Sequence, residues 1–206
     1  MKKSLPYYLS RTATYALHPL LMPMMTTVLL MSFYPASASA LLPVKLFVYR
    51  TVLLMTCLMP VAFMLLLRTF GVLKSFSLGT REERALPLLA AMLCCVGCGW
   101  IFADIGALLV VRKGLYTFAV CFGVAFVVNF FWQISLCTLA LGAALGMLWV
   151  MLYVGTSPLF VPFVVLLVLE GCLASARLAL GKHTPAQVWA GALGGFTIAL
   201  IMFILL

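Results

Sequence analysis

Long apolar runs separated by short polar clusters make up most of the chain. The runs fall near 16–36, 45–67, 86–105, 114–132, 138–154, 157–178 and 186–206. Each is long enough to cross a hydrocarbon core of about 30 Å at about 1.5 Å of helix rise per residue. Lipid offers no hydrogen bonds to an open backbone, and the runs are Leu-rich and uninterrupted, so helices are predicted and barrel strands are not. The pattern predicts an all-α protein, a polytopic transmembrane helical bundle of about six to seven spans, forming a single integral membrane domain over 1–206. Its expected location is the cell (inner) membrane, as a multi-pass protein.

The first run differs from the rest. Lys2 and Lys3, the apolar stretch through Leu29-Leu30-Met31 and the small residues Ala36-Ser37-Ala38-Ser39-Ala40 imitate a signal peptide with its cleavage site. The region ahead of the apolar core is long, however, and carries His18-Pro19 and Pro23, unlike a short basic leader. Residues 1–40 therefore read as a signal anchor or as a cleaved leader, and about six helices remain as the core in either case.

Composition narrows the function classes. With 66% hydrophobic and 8% charged residues and a mean hydropathy of +1.25, a soluble domain is excluded, because it could not hide this much apolar surface. The formal net charge of +9 falls in short loops and near the N-terminus. There it speaks of topology and anionic headgroups, and with no charge run longer than a few residues it does not speak of nucleic acid. The expected partners are membrane lipids, with homo- or hetero-oligomer formation left open. Cys94-Cys95-x-x-Cys98 is the nearest approach to a metal motif. It lies inside an apolar run with no His or fourth Cys close in sequence, so these thiols read as small hydrophobes and neither a metal nor another cofactor is expected. Gly142-x-x-x-Gly146 and Gly191-x-x-Gly194-Gly195 mark close helix packing.

Counting crossings places three polar clusters on one side of the membrane: 73–84, 133–137 and 177–187. The first holds Lys74 and Arg81, followed by Glu82, Glu83 and Arg84. The second is Gln133-Ile134-Ser135-Leu136-Cys137, at a helix start. The third runs from Arg177 through Gly181-Lys182-His183-Thr184-Pro185 to Gln187. An Arg and a His six positions apart at a helix end suit an anion at the membrane surface.

These clusters resemble the membrane branch of the type 2 phosphatidic acid phosphatase and haloperoxidase superfamily, whose signatures are K-x6-R-P, P-S-G-H and S-R-x5-H-x3-D. Lys74 and Arg81 fit the first spacing, with Glu82 in place of Pro. Ser135 fits the Ser of the second, with Ile134, Leu136 and Cys137 in place of Pro, Gly and His. Arg177 and His183 fit the third, with Ala176 for Ser and Gln187 for Asp. The resemblance covers roughly 70–200, and the stretches 18–23 and 182–191 look like a divergent branch of the same superfamily. It implies a phosphate cradle of Lys74, Arg81, Ser135 and Arg177. The catalytic positions would be His183 as nucleophile through a phosphohistidine, Cys137 where the acid belongs, and Gln187 beside His183. The implied activity is that of a phosphoric monoester or diphosphate hydrolase acting on lipids. Cys137 is a poor acid and Gln187 cannot offset an imidazolium charge, so the implied function is that of a degenerate or weak lipid phosphate phosphatase. The alternative is a non-catalytic protein that binds or moves a phospholipid or serves as a membrane-complex subunit.

Structural readings stand beside the chemical ones. Thr184-x-x-Gln187 with Pro185 at the first helical position is a capping box, and Thr80-x-x-Glu83 is another, which makes Glu82 and Glu83 helix-start residues. Arg81 and Arg177 also fit the role of interfacial side chains reaching headgroups. Phe130-Phe131-Trp132 reads as an interfacial aromatic belt. Glu170 lies within the sixth run, seven positions before Arg177 and so on nearly the same helix face. It reads as a proton carrier or pocket floor, or as a structural hydrogen bond or a partner for Arg50. Asp104 is expected at the opposite surface with Arg112-Lys113. For sidedness two signals oppose one another. The Lys and Arg distribution puts the three clusters in the cytoplasm, whereas resemblance to bacterial lipid phosphatases puts them outside.

Overall fold

A computed structural model describes residues 5–72, 81–155 and 157–205. Every regular element described is helical: α1 (Leu5–Ala16), α2 (Met22–Phe33), α3 (Pro35–Ala38), α4 (Leu42–Val52), α5 (Met59–Thr69), α6 (Arg81–Ile101), α7 (Leu109–Asn129), α8 (Leu136–Tyr153), α9 (Phe160–Ala179) and α10 (Pro185–Leu205). A π-helical stretch, Leu53–Leu58, joins α4 to α5, so the two run as one span, Leu42–Thr69. It precedes Pro60, whose missing N–H would leave an α-helical ladder one bond short; a π-bulge absorbs such a defect. Among the described residues six helices are long and apolar enough to cross a membrane: Leu42–Thr69, α6, α7, α8, α9 and α10. The protein is thus all-α with a multi-pass membrane architecture.

The first apolar run does not form the single helix predicted over 16–36. The chain leaves α1 at Ala16, turns through His18-Pro19 and starts α2 at Met22. At 12 residues, α2 rises only about 18 Å, short of a hydrocarbon core of about 30 Å. The cause is local. Proline disfavours a helical conformation in the residue before it, and the turn is closed by hydrogen bonds from Leu21 N–H to the His18 C=O at 2.9 Å and from Met22 N–H to the Pro19 C=O at 3.3 Å.

The helices gather into two compact units, Met1–Met22 with Ile134–Leu206, and Pro23–Gln133. In the first unit α8 packs closely on α10, and α1 and α8 both pack on α9. The glycines anticipated as packing marks set the α8–α10 distance. A Cβ on Gly142 would strike the Ala192 C=O and one on Gly195 the Leu139 C=O, while one on Gly191 would strike Thr138 Oγ1. One on Gly146 would sit 2.6 Å from the Phe196 C=O. Backbone thus lies directly on backbone, as small residues in membrane helices allow. Gly194 has only Leu139 Cδ1 near it, at 3.8 Å, so Gly191 and Gly195, one turn apart, make the seam. In the second unit the main contact is α6 on α7.

Candidate functional site

The first turn of α10 is built by the predicted capping box. Gln187 N–H donates to Thr184 Oγ1 at 3.4 Å, and Thr184 N–H donates to Gln187 Oε1 at 3.1 Å. The same Oε1 lies 3.2 Å from His183 Nδ1. A carboxamide oxygen can only accept, so this contact requires a proton on Nδ1. In a neutral ring that leaves the lone pair on Nε2, the form a nucleophile needs. Gln187 therefore combines two roles that sequence allowed together, starting the helix and fixing the tautomer of a buried histidine.

The α9–α10 turn brings the chain to this point. Gly181 has φ +62°, a left-handed conformation natural to glycine at a helix end. Through it Lys182 N–H donates to the Arg177 C=O at 3.2 Å. Arg177 occupies the last turn of α9, where a cation complements the exposed carbonyls. Its Nε is buried and has no hydrogen-bond partner among the described residues.

Ser135 is the N-cap of α8 but does not cap it through its side chain. Its N–H donates to the Gln187 C=O at 3.2 Å, which ties the start of α8 to the start of α10. Thr138 Oγ1 reinforces the tie, 3.1 Å from both the Ser135 and the Val188 carbonyls. Ser135 is fully buried and its Oγ has no partner among the described residues. Cys137 is buried in the first turn of α8.

Ser135, Cys137, Arg177, His183 and Gln187 thus all belong to the first unit. Arg81 belongs to the second. It is exposed at the start of α6, its Nη1 reaches the Phe130 C=O at 3.5 Å, and its own C=O accepts from Asn129 Nδ2 at 2.7 Å. Lys74 and Thr80 lie outside the described residues. Phe130, Phe131 and Trp132 are exposed, as an aromatic belt would be. Asp104 is exposed in the α6–α7 turn, to which Arg112 contributes a 2.8 Å hydrogen bond from Nη1 to the Ala103 C=O.

Glu170 is 8% exposed on α9. Neither carboxyl oxygen has a hydrogen-bond partner among the described residues, so the structural hydrogen bond allowed by the sequence is not formed. Among the described residues no group of three His, Cys, Asp or Glu side chains is placed to hold a metal. An apolar groove of about 480 Å³ between α6 and α7, lined by Met92, Val96, Val120, Gly123, Val124 and neighbours, has no polar lining side chain to read a headgroup.

One residue within the 18–23 stretch was given no role by the sequence. His18, in the turn after α1, accepts at Nδ1 from Leu20 N–H at 3.3 Å. Burial first, and then the charge of Arg177, hold its imidazole below the ordinary histidine pKa. The sequence signal was present, since His18 is one of only two histidines in the chain, but its neighbourhood depends on α1 packing against α9. No protein-family model, curated protein or solved structure matches this chain.

Proposed function

We propose that the protein holds the phosphate of a membrane lipid phosphate or diphosphate at the end of the first unit where α8 and α10 begin and α9 finishes. In this reading it is a divergent, weakened relative of the phosphatidic acid phosphatase and haloperoxidase superfamily, resident in the cell (inner) membrane. The observation that carries the proposal is a pair of buried donors, Ser135 Oγ–H and Arg177 Nε–H, with no acceptor among the described residues, in the unit that also holds the oriented His183. A buried unsatisfied donor costs about 1–3 kcal/mol. A phosphate oxygen would remove that cost, and both the forked guanidinium and the N-terminus of α8 suit such a ligand.

In the catalytic form of the proposal, His183 Nε2 attacks phosphorus, the bond from phosphorus to the lipid oxygen breaks, and water later releases phosphate from the phosphohistidine. The departing alkoxide needs a proton, and the position that should supply it is Cys137, a buried thiol. Gln187 accepts from Nδ1 but carries no charge to balance an imidazolium. These two residues favour the second reading, a non-catalytic protein that binds or moves a lipid phosphate or serves in a membrane complex.

The test is phosphate release by the detergent-purified protein from phosphatidate, phosphatidylglycerophosphate and a polyprenyl diphosphate, with His183→Ala and Cys137→His alongside. Turnover lost in His183→Ala supports the enzyme, with Cys137→His expected to be faster than wild type. Saturable phosphatidate binding without turnover supports the binder. Neither turnover nor saturable binding removes both.

A further inference from the structure

The first unit contains both histidines of the chain, and their rings are held in opposite tautomers. His183 must carry its proton on Nδ1 to meet Gln187 Oε1 at 3.2 Å. His18 must leave Nδ1 bare, because that nitrogen accepts the Leu20 N–H at 3.3 Å; its proton in the neutral ring is therefore on Nε2. In the neutral form one ring carries its proton on Nδ1 and the other carries it on Nε2.

The surroundings of His18 make that N–H more than a spare group. His18 makes no other hydrogen bond among the described residues. Helix α1 packs on α9, and Arg177, in the last turn of α9, acts on His18 through its charge. Arg177 has its own buried Nε without an acceptor. For a histidine that only caps a turn the charge of Arg177 is unfavourable, since two proton-bearing groups without a shared acceptor disfavour one another. An anion between them reverses the sign of that arrangement. Glu170, the one acidic residue in this unit, does not serve, because neither of its oxygens has a hydrogen-bond partner among the described residues.

We propose that His18 is a further binding residue of the lipid-phosphate site, its Nε2–H joining Arg177 Nε–H on the non-bridging oxygens of the phosphate. This inference rests on the functional reading above and adds to it a second histidine with a different task. His183 supplies the nucleophilic nitrogen, and His18 supplies a neutral donor that gains a proton more readily once a phosphate lies against it.

Two histidines make the test clean. The full-length protein is labelled with ¹⁵N-histidine and placed in phosphatidylcholine nanodiscs, with His18→Asn used to assign the resonances. Spectra are recorded with phosphatidylcholine alone, with added inorganic phosphate, and with nanodiscs doped with phosphatidate. The expected result is that phosphatidate shifts both histidines and raises the pKa of His18. A matching response to inorganic phosphate would show that the headgroup alone suffices, and a response to phosphatidate alone would show that the lipid is needed; both support the proposal. If His183 responds and His18 does not, the role of His18 is overturned while the lipid-phosphate reading stands. If neither responds, the lipid-phosphate reading falls as well.

His18→Asn separates binding from structure. Asparagine is a good turn and N-cap residue that can still accept the Leu20 N–H, but it lacks the distal donor. It should retain thermal stability while phosphatidate affinity falls on the order of tenfold, the loss of one hydrogen bond to a charged acceptor. Unchanged affinity in a folded His18→Asn protein would reduce His18 to a turn residue.

Discussion

The helix pair α8–α10 and the helix pair α6–α7 solve the same problem by different means. Both join two apolar spans, yet α8–α10 brings backbone onto backbone through Gly142, Gly146, Gly191 and Gly195, whereas α6–α7 meets through side chains. At Gly123 of α7 an added Cβ would find Met92 Sδ at 3.0 Å, and at Gly99 of α6 it would find the Tyr116 ring. A groove remains open between that pair. The polar ties differ in the same way. Thr138 of α8 reaches across to the Val188 C=O of α10 at 3.1 Å, but Thr117 of α7 bonds back to Lys113 of its own helix at 2.8 Å. Lipid gives apolar helices no hydrophobic reason to prefer one another, so separation is set by side-chain size and by interhelical hydrogen bonds. The tight pair is the one whose ends carry Ser135, His183 and Gln187, the groups of the proposed phosphate site.

The comparison can be broken at several places. The largest effect is expected from Gly195→Ala, which drives a methyl into the Leu139 C=O and costs about 1–3 kcal/mol or more, as overpacking of a rigid seam does. Gly123→Ala meets only the flexible Met92 side chain and should cost less than about 1 kcal/mol. Thermal unfolding in one detergent compares them, and equal losses would remove the distinction between the two seams.

Next is Gln187→Leu, which loses the capping box at a cost of about 1 kcal/mol. It also releases His183 from its Nδ1–H tautomer, visible as tautomer averaging in ¹⁵N-histidine spectra.

Thr138→Val should cost about 0.6 kcal/mol, the usual scale of an interhelical hydrogen bond in a membrane protein. Thr117→Val should cost less, since only an intrahelical back-bond is lost. Unfolding by denaturant in mixed micelles, with both variants run together, would reveal an inverted order if α6–α7 were the tighter pair.

The smallest effect is a slope with pH. The folded-state pKa of His18 is lowered, by burial and then by Arg177. The unfolded chain therefore binds the proton more readily than the folded one. Stability should fall as pH drops from about 6.5, the unperturbed histidine value, toward the folded-state value, with no contribution from this group above that window. His18→Asn should flatten that part of the stability–pH curve, and an unaltered curve would place the slope elsewhere.

The six long spans were legible because nothing but a bilayer accommodates such runs, although the starts of α6 and α7 lie earlier than the apolar boundaries at 86 and 114. The first run was misread because hydropathy averages over His18-Pro19, while the backbone responds to the proline itself. The capping box at Thr184–Gln187 was legible because it is a local spacing rule. That Gln187 Oε1 also accepts from His183 Nδ1–H followed from the same short spacing, which allowed both roles at once. The glycines announced close packing but not the partner, since apolar faces in lipid carry no address. Nor could spacing show that Arg81 lies against the Phe130 C=O, or that His18 sits in the field of Arg177. Those placements depend on helices far apart in sequence.

The oxygen shared by the Thr184 N–H and His183 Nδ1 makes the first turn of α10 a clock for the histidine. Helix ends fray faster and at lower cost than whole helices unfold. When that turn opens, Gln187 leaves the imidazole and the proton can move between its nitrogens. The tautomer of His183 is therefore held only while one helical turn stays closed.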